Sequence, residues 1–493
     1  MSTVLSKIPQ FEFPPRYGPE WGSGGIFGLK YHRGVLVYTL AFEAEVHLQR
    51  TEGETVYGYD LIGKGPKSGG DTYNAVEAVD DEIYFGGWVH APALYQGRIE
   101  KGGKILFNNK FSHLHSYDAR EGRVHLLWSD ALAHESKWAG EVSQITYDPV
   151  GDRLLVARAD GHDHLGVFAV DRRSGRSERI SETPALKGAP YLDKVCFDVR
   201  RDWTRGVEGI QTLDLVTGKW STKGIDFVRD SVDGGGAYWP SAGCAISAYS
   251  RLFFFVRGGV LVGDPMGDLE GMRFVRLFDF GTDYSPSRTV CKPVGGGILV
   301  AFSAYSQSFL HPRNEFETGM KNRANFVNGP SVLLYITPPQ ARVVAALGGR
   351  ITSFEKVEDR LVVAASTAAN LGADDATPID TGYRDLSVFD LGSILNGSPP
   401  LLFEVLGEHV MDGAWGGLPL DGRGKAELRV NATKENQLTV YEYRLGLPVQ
   451  PARSEQFRIV RGRQAIDLLG YSGIVSFRLE AADPEARMQI LID

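Results

Sequence analysis

The chain has 493 residues, a net charge of −8 at neutral pH and only three cysteines. This acidic balance, without a cluster of Lys and Arg, argues against a nucleic acid or an anionic membrane as partner, because both need a basic surface. The first residues lack the apolar stretch of a signal peptide, and no segment approaches the ~18 apolar residues of a membrane helix. The predicted location is therefore cytoplasmic.

Residues 1–25 carry four prolines and then a glycine cluster, which predicts an irregular N-terminal arm. From residue 26 onward one unit recurs: a short apolar strand, a turn, a second apolar strand, a variable loop and a hairpin. Its first strands begin near Phe27, Ala75, Ser143, Lys194, Gly243, Thr289 and Phe354. A repeat of this kind predicts one large domain made of many small modules.

The hairpin of the early units also repeats, because a glycine follows four residues after a fixed position. The turns that share this spacing are Gln49 to Gly53, Asp118 to Gly122, Asp171 to Gly175 and Asp214 to Gly218. Glycine tolerates the positive φ that such a turn requires. Seven four-stranded units over residues 26–406 predict an all-β chain folded as a seven-bladed β-propeller.

The repeat ends near residue 406, and residues 407–493 contain strands that alternate apolar and polar side chains. This alternation is typical of sheets with one wet face and predicts a small C-terminal β-sandwich-like domain. An eighth blade is the competing interpretation. The cysteines Cys196, Cys244 and Cys291 are predicted to lie in the first strands of units four, five and six, as buried reduced thiols.

In a propeller, the first strand of each blade begins beside the central channel, at the face that also carries the loops between the second and third strands. The repeat predicts that Tyr73, Asn74, Glu141, Asp193, Lys194, Tyr238, Trp239, Arg288 and Arg350 lie at these strand starts. Acids, arginines, a lysine and aromatic rings are the groups that a polar, hydroxylated or anionic ligand needs. The alternative is that the acids and arginines neutralise one another in a wet channel.

Two long loops are expected on the same face, from Trp88 to Lys110 and from Ser303 to Asn328, and long loops of this kind are often functional. Together with the strand starts they give the predicted substrate-binding residues Tyr73, Asn74, Trp88, His90, Lys194, Trp239, Arg288, Tyr305, His311 and Arg350. Aromatic rings stack on sugars, and the polar groups bridge sugar hydroxyls. A carbohydrate is therefore the predicted partner, and an oligomer through the C-terminal β domain is left open.

Hydrolysis of a glycoside needs two carboxyl groups, one as acid and one as base or nucleophile. Glu141 and Asp193, on neighbouring units, are the predicted catalytic pair of a glycoside hydrolase without metal or other cofactor. A runner-up is a metal-dependent polysaccharide lyase or lactonase that binds a divalent ion through His90, His162, His164 and His311. A third hypothesis is a non-catalytic interaction scaffold.

The paired strands and the Asp-x-x-x-Gly turns resemble the seven-bladed β-propeller superfamily over about residues 26–406. The sequence lacks the Gly-His and Trp-Asp signatures of the common eukaryotic scaffolding propellers. Its organisation looks like that of uncharacterised archaeal propeller proteins, and its polar channel resembles propeller glycosidases and polysaccharide lyases. No catalytic motif matches residue by residue, so the resemblance implies the fold alone.

Overall fold

The described part of the chain folds almost entirely into β-strands, and within it lie a short α-helix, α1 (Leu391–Asn396), and 3₁₀ turns at Phe107–Asn109 and Gly407–Val410. The computed structural model describes residues 25–40, 43–59, 70–91, 95–96, 104–105, 107–131, 134, 140–159, 164–200, 207–225, 242–267, 271–278, 284–286, 288–304, 330–366, 384–396, 401–411, 414–420, 425–444, 450–471 and 474–492. Within these ranges, no helix is long and apolar enough to cross a membrane.

The first four blades are four-stranded antiparallel sheets. Their strands are β1 (Ile26–His32), β2 (Val35–Leu40), β3 (Glu45–Gln49) and β4 (Glu54–Gly58); β5 (Gly70–Val79), β6 (Glu82–His90), β9 (Lys110–Asp118) and β10 (Arg123–Asp130), with a small hairpin of β7 (Tyr95–Gln96) and β8 (Lys104–Ile105) between β6 and β9; β11 (Glu141–Asp148), β12 (Arg153–Ala159), β13 (Gly166–Asp171) and β14 (Ser177–Ser181); and β15 (Gly188–Tyr191), β16 (Lys194–Val199), β17 (Gly209–Asp214) and β18 (Trp220–Gly224).

The last three blades follow the same antiparallel order, and the seventh has three described strands. The strands are β19 (Ala242–Ala248), β20 (Arg251–Val256), β21 (Gly259–Gly263) and β22 (Arg273–Arg276); β24 (Cys291–Val294), β25 (Gly297–Ala304), β26 (Ser331–Thr337) and β27 (Gln340–Leu347), preceded by β23 (Tyr284–Ser285), which pairs with β25; and β28 (Arg350–Val357), β29 (Arg360–Ser366) and β30 (Arg384–Asp390).

The inner strands of successive blades touch in a closed ring. β1 contacts β5, β5 contacts β11, and the contacts continue through β15, β19, β24 and β25 to β28, which contacts β1 again. At the closure, Thr352 Oγ1 donates a hydrogen bond to the carbonyl of Ile26 (2.6 Å), and the amide of Leu29 donates to Ser353 Oγ (3.2 Å). The ring and the sheet order confirm the predicted seven-bladed β-propeller.

The outermost strand of a blade is its most exposed strand, because the strands nearer the centre are packed between two neighbouring sheets. The second strand Val35–Leu40 is fully buried, whereas the outer strand Ser177–Ser181 is mostly exposed. The apolar runs of the sequence therefore mark the inner and second strands. They carry little information about the outermost strand of each blade.

The three predicted Asp-x-x-x-Gly turns form one kind of hairpin. Gly122, Gly175 and Gly218 each have φ of +69°. The amide of each glycine donates to the carbonyl of the aspartate four residues earlier, as Gly122 does to Asp118 at 2.8 Å. The turn at Gly53 differs, because its hydrogen bonds run between Arg50 and Gly53 in both directions.

Blade four corrects the predicted strand register. Its first strand is Gly188–Tyr191, so Lys194 begins the second strand, and Asp193 lies in the turn between them. Cys196 is accordingly in the second strand of its blade. The short Gly-Ala-Pro-Tyr strand has no apolar run. The repeat pattern therefore took the next strand, which begins at Lys194, for the first strand of the blade.

After α1 the chain forms two further four-stranded sheets. In sheet order these are β31 (Leu401–Leu406), β38 (Arg487–Ile492), β33 (Ala426–Ala432) and β36 (Gly462–Asp467); and β32 (Trp415–Pro419), β37 (Ile474–Leu479), β34 (Asn436–Arg444) and β35 (Gln450–Ile459). Leu428, Val440, Phe477 and Ile490 share one buried apolar cluster. This is the predicted β-sandwich, and not an eighth blade.

The sandwich is joined to the propeller by strand pairing. β31 lies parallel to β27 of blade six, with Leu347 opposite Leu402, so the first sandwich sheet continues the sheet of that blade. β31 precedes residue 407, the predicted start of the C-terminal domain. Apolar residues of blades five and six, such as Phe255 and Phe302, belong to the same cluster as the sandwich core.

Candidate functional site at the channel mouth

The direction of the strands distinguishes the two ends of the propeller. At one end the first strands begin and the second strands finish, as the pairs Glu141–Ala159 and Arg350–Ser366 show. We call this end the channel mouth. The other end carries the turns from first to second strand, such as the turn that follows Asp148.

An ion pair links two distant blades at the mouth. Nη2 of Arg288, just before the first strand of blade six, lies 3.5 Å from Oε1 of Glu141, the first residue of the inner strand of blade three. The side chain of Glu141 is 1% exposed and that of Arg288 is 20% exposed. Blades three and six lie on opposite sides of a seven-membered ring, so this pair reaches across the mouth. Both residues are where the repeat predicted them.

Beside this pair lies a lysine that the strand pattern missed. Lys187 precedes the short first strand of blade four, is buried, and donates from Nζ to the carbonyl of Ser143 at 2.7 Å. Burial lowers the pKa of Lys187 to about 8, although Glu141 and Asp198 are among the nearby groups that favour its charged form. Lys187 could have been predicted at the mouth if the Gly-Ala-Pro-Tyr segment that follows it had been identified as the first strand of blade four.

A second buried carboxyl lies next to Lys187. Asp198 Oδ1 accepts hydrogen bonds from the amides of Leu186 (2.7 Å) and Lys187 (2.8 Å). Burial raises the pKa of Asp198, and the nearby Arg200 partly offsets this effect. Glu141, Arg288, Lys187 and Asp198 therefore form one group of charged side chains, which we call the mouth cluster.

Two thiols lie near the same lysine. Cys244 is in the first strand of blade five and Cys291 in the first strand of blade six, as predicted. Burial, followed by a hydrogen bond with Cys291, raises the pKa of Cys244 well above its ordinary value. Cys196 and Cys244 are buried, but Cys291 is only partly buried, which corrects the prediction of three buried thiols.

Asn74 holds the ring together at the mouth. Its Oδ1 accepts from the amide of Gly28 in blade one (2.7 Å), and its Nδ2 donates to the carbonyls of Arg288 (3.0 Å) and Thr352 (2.9 Å). Both amide hydrogens are therefore used inside the protein. The side chain of Asn74, predicted to bind substrate, therefore has no amide hydrogen left for a ligand.

Asp193 and Lys194 do not lie at the mouth. Asp193 is in the turn at the far end of the first strand of blade four, where its carboxylate pairs with Lys194 Nζ at 2.8 Å. At about 3.3 Å per residue, that strand places Asp193 roughly 15 Å from the mouth. The carboxyl groups of a glycosidase lie at most ~9.5 Å apart. Asp193 therefore cannot act with Glu141 on one glycosidic bond, and Lys194 cannot bind the same ligand.

Trp88 corrects a further prediction. It is buried, and Nζ of Lys110 lies 3.8 Å from its ring centroid. A cation already covers this aromatic face, so the ring is not an open platform for a sugar. Lys110 begins the third strand of the same blade.

The remaining predicted residues divide into placed and unplaced ones. Arg350 begins the first strand of blade seven at the mouth, is buried, and has Cζ 5.9 Å from the ring centroid of Phe27. His164 is described and half-buried. Trp239, Tyr238, Tyr305, His162 and His311, and the side chains of Tyr73 and His90, lie outside the described residues. Among those that are described, no group of three or more His, Cys, Asp or Glu side chains could hold a metal ion.

Two further ion pairs, each with a buried arginine, were not predicted from the sequence. Arg384 of blade seven pairs with Glu43 of the loop after β2 in blade one, with Nη2 and Oε1 2.5 Å apart. Arg158 of blade three pairs with Asp130 of blade two at 2.8 Å. Each pair joins neighbouring blades near the mouth. The residues lie at the ends of second and later strands, whereas the repeat predicted site residues only at the starts of first strands.

Fold and site together define a seven-bladed β-propeller with a C-terminal β-sandwich and a charged channel mouth. The family described as "uncharacterized protein conserved in archaea (DUF2139)" matches residues 36–374. The chain belongs to this family. No curated protein matches it.

Solved structures that are similar to this chain share only about a tenth of its sequence. Sqt1 of Saccharomyces cerevisiae is 10% identical with a TM-score of 0.38, covering 72% of this chain and 81% of that chain. Streptogramin B lyase is 10% identical with a TM-score of 0.29 (61% and 96%). A family 43 arabinoxylan arabinofuranohydrolase from Bacillus subtilis, in complex with cellotetraose, is 10% identical with a TM-score of 0.30 (85% and 94%).

Proposed function

We propose that the protein is a carbohydrate-active enzyme that binds an acidic, uronate-bearing oligosaccharide at the channel mouth and cleaves it there. The observation that carries this proposal is the ion pair between Arg288 and Glu141 beside the buried Lys187. The cluster combines a cation for a sugar carboxylate with two groups that can exchange protons. A propeller mouth is also a natural place for a ligand.

Arg288 is the group that meets the ligand. Its side chain is 20% exposed against 1% for Glu141, so it lies on the solvent side of the pair. A guanidinium binds a carboxylate through two parallel hydrogen bonds. In the proposed complex the sugar carboxylate replaces Glu141 on Arg288, which frees the Glu141 carboxyl for proton transfer.

The chemistry that best fits these groups is β-elimination. The pKa of Lys187, about 8, leaves part of the amine neutral near neutral pH, and the neutral amine takes the proton from C5 of the uronate. Arg288 stabilises the charge that develops on the sugar carboxylate. When the sugar carboxylate displaces Glu141 from Arg288, the Glu141 carboxylate takes up a proton from solvent and gives it to the glycosidic oxygen at C4. The C4–O bond breaks and the C4–C5 double bond forms. Lys187 then releases the C5 proton to solvent, and the Glu141 carboxylate returns to Arg288.

Hydrolysis, the reaction expected from the sequence, fits less well. It requires a second carboxyl near Glu141, and Asp193 is at the other end of the blade. Asp198 belongs to the mouth cluster, but its Oδ1 already accepts hydrogen bonds from two backbone amides. Elimination needs no second carboxylate.

A non-catalytic interaction scaffold is the second candidate. Two observations favour it: Glu141 is 1% exposed, and Asn74 ties blades one, two, six and seven together at the mouth. In a scaffold, the mouth cluster would hold the ring and face no ligand.

One assay separates these functions. Polygalacturonate or an alginate is incubated with the full chain, and the ultraviolet absorbance of the unsaturated product is followed together with reducing ends. Elimination raises both signals, hydrolysis raises reducing ends alone, and a scaffold raises neither. E141Q and K187M should each lower turnover at least ~100-fold, the usual effect of removing positioned acid–base catalysis. R288Q should weaken binding and lower turnover together, because Arg288 holds the sugar carboxylate both before and during the reaction.

The matched controls are D193N and K194M, which change the same residue types at the opposite end of blade four. Both should keep full activity. Loss of activity in D193N with none in E141Q would contradict the proposed site. Full activity of all three mouth variants would leave the cluster as a structural ion network.

A further inference from the structure

A groove of about 630 Å³ lies on the first sheet of the sandwich, away from the channel mouth. It is lined by all four strands of that sheet: β31, β38, β33 and β36. The inner face of the sheet is filled by buried apolar residues such as Val430 and Met488. The alternate residues form the outer face, because successive side chains of a strand point to opposite sides.

The strand register places a row of polar side chains across this outer face. Arg487, Asn431 and Arg463 lie opposite one another on three neighbouring strands. In the next row, two residues along, Gln489 lies opposite Arg429. Neighbouring strands are about 4.8 Å apart and rows about 6.7 Å apart. The side chains of Arg429, Arg463 and Arg487 therefore start from one small area of the sheet.

The charge of this area contrasts with that of the whole chain. The sequence has a net charge of −8, yet three arginines line the groove and Glu404 is its one acidic lining residue. Glu404 accepts a hydrogen bond from Gln489 at 2.5 Å, and Arg429 has a partner in Glu427 at 2.5 Å. Arg463 is exposed, and its neighbour in the next row on the same strand is the small Ala465.

We propose that this groove is a second binding site, for an acidic oligosaccharide that lies across the strands. Arg463 and Arg487 bind carboxylate groups, and the amides of Asn431 and Gln489 supply both donors and acceptors for hydroxyl groups. An extended peptide would add to a strand edge, whereas this groove is on the face of a sheet. A nucleic acid is disfavoured by the acidic chain around the groove.

The site goes beyond the proposed function because it uses no residue of the mouth. On a long acidic polymer, two sites on one chain raise the effective concentration of ligand at each of them. The lining of the groove shares no residue with the mouth cluster, so a short substrate bound at the mouth does not use the groove. The groove therefore affects binding of the polymer and leaves the reaction on short substrates unchanged.

The test measures affinity of the full chain for polygalacturonate by affinity electrophoresis and by calorimetry. The double variant R463Q/R487Q should weaken binding at least ~10-fold, since each arginine contributes charge-assisted hydrogen bonds. The matched control is R458Q, an arginine that is 77% exposed on the other sheet of the sandwich. R458Q should leave the affinity within about twofold, as expected of an isolated surface charge.

The outcomes separate this site from the mouth when R288Q is measured in parallel. Weaker polymer binding in R463Q/R487Q, with unchanged turnover of short substrates, supports the groove even if R288Q and E141Q have no effect. Equal losses of affinity in R458Q and in the groove variant would overturn the proposal, because the loss would then follow from the change in net charge and not from the groove. A change of oligomeric state in R463Q/R487Q without loss of polymer binding would also overturn it, since the face would then be an interface between two copies.

Discussion

Two buried histidines in blade two make the stability of the fold depend on pH. His113 and His115 of β9 are fully buried in blade two, and their Nδ1 atoms are 3.0 Å apart. Burial lowers the pKa of His115 to about 3, and burial together with His115 lowers the pKa of His113 well below its ordinary value. Tyr59 of blade one packs against both rings, so a charge here would be enclosed by aromatic side chains.

We therefore predict that acid destabilises the chain through this pair. Both pKa values are lower in the folded state, so below about pH 6.5 the unfolded chain binds protons that the folded chain does not. The free energy of unfolding then falls as the pH drops, by up to about 1.4 kcal/mol per pH unit for each histidine. H115Q should flatten this dependence in urea titrations between pH 7 and 5. H125Q, a control at an exposed histidine, should keep the wild-type slope.

The three thiols should differ in reactivity. Cys291 is partly buried, whereas Cys196 and Cys244 are buried. Burial also raises the pKa of Cys196 to about 11, which suppresses its thiolate. We expect a thiol reagent to label one site in the native chain and three after unfolding. C291S should abolish native labelling, and rapid labelling of C291S would contradict the placement of the other two.

The Asp-x-x-x-Gly hairpins show what a repeated element requires of its glycine. Gly175 and Gly218 have the same φ of +69°, but their surroundings differ. A Cβ at Gly175 would collide with the carbonyl oxygen of Leu127, whereas a Cβ at Gly218 meets nothing within 4 Å. The first glycine is needed for blade packing as well as for its turn.

The paired substitution makes this difference measurable. G218A should lower the free energy of unfolding by about 1 kcal/mol, the cost of a left-handed conformation for a residue with a Cβ. G175A carries the same cost and must also displace the neighbouring strand. We expect it to lose at least ~1 kcal/mol more, within the range of backbone strain at one residue. Equal losses in denaturant titrations would mean that blades two and three are not packed as described.

At the scale of strands, the sequence predicts those strands and turns that have a recognisable local pattern of residues. The strands at Ser143 and Phe354 were found because apolar residues recur in them, and the Asp-x-x-x-Gly hairpins because a turn restricts its residues. The strand Gly188–Tyr191 was missed, since its first three residues are Gly, Ala and Pro. That one error displaced Asp193, Lys194 and Cys196.

At the scale of the whole molecule, the sequence predicts that Glu141 and Arg288 lie at the mouth, but it does not predict that they form an ion pair. Their contact joins blades three and six, and a repeat alignment gives the position of a residue within its blade only. The bonds of Asn74 to three other blades were hidden for the same reason. Contacts across the ring depend on how the blades close into a circle.

Closure of this circle brings blade one against blade seven. The four strands of blade one and the three described strands of blade seven are each consecutive in the chain. The two blades meet through a shared apolar cluster, the bonds of Ser353 and Thr352, and the buried ion pair between Arg384 and Glu43. The side chains of this pair are 0% and 3% exposed.

Breaking this pair should open the ring. R384M leaves the Glu43 carboxylate buried without its guanidinium, and the loss of one partner of a buried ion pair typically costs about 3–5 kcal/mol. The double variant E43Q/R384M removes the charge as well and should recover much of that loss. We expect R384M to unfold at a clearly lower urea concentration than the wild type, with E43Q/R384M between them. R360M is the control, because Arg360 of the same blade is 42% exposed in its pair with Asp390 and should contribute at most about 1 kcal/mol. If R384M and R360M unfold alike, the apolar cluster and the hydrogen bonds of Ser353 and Thr352 hold the ring closed without help from the ion pair.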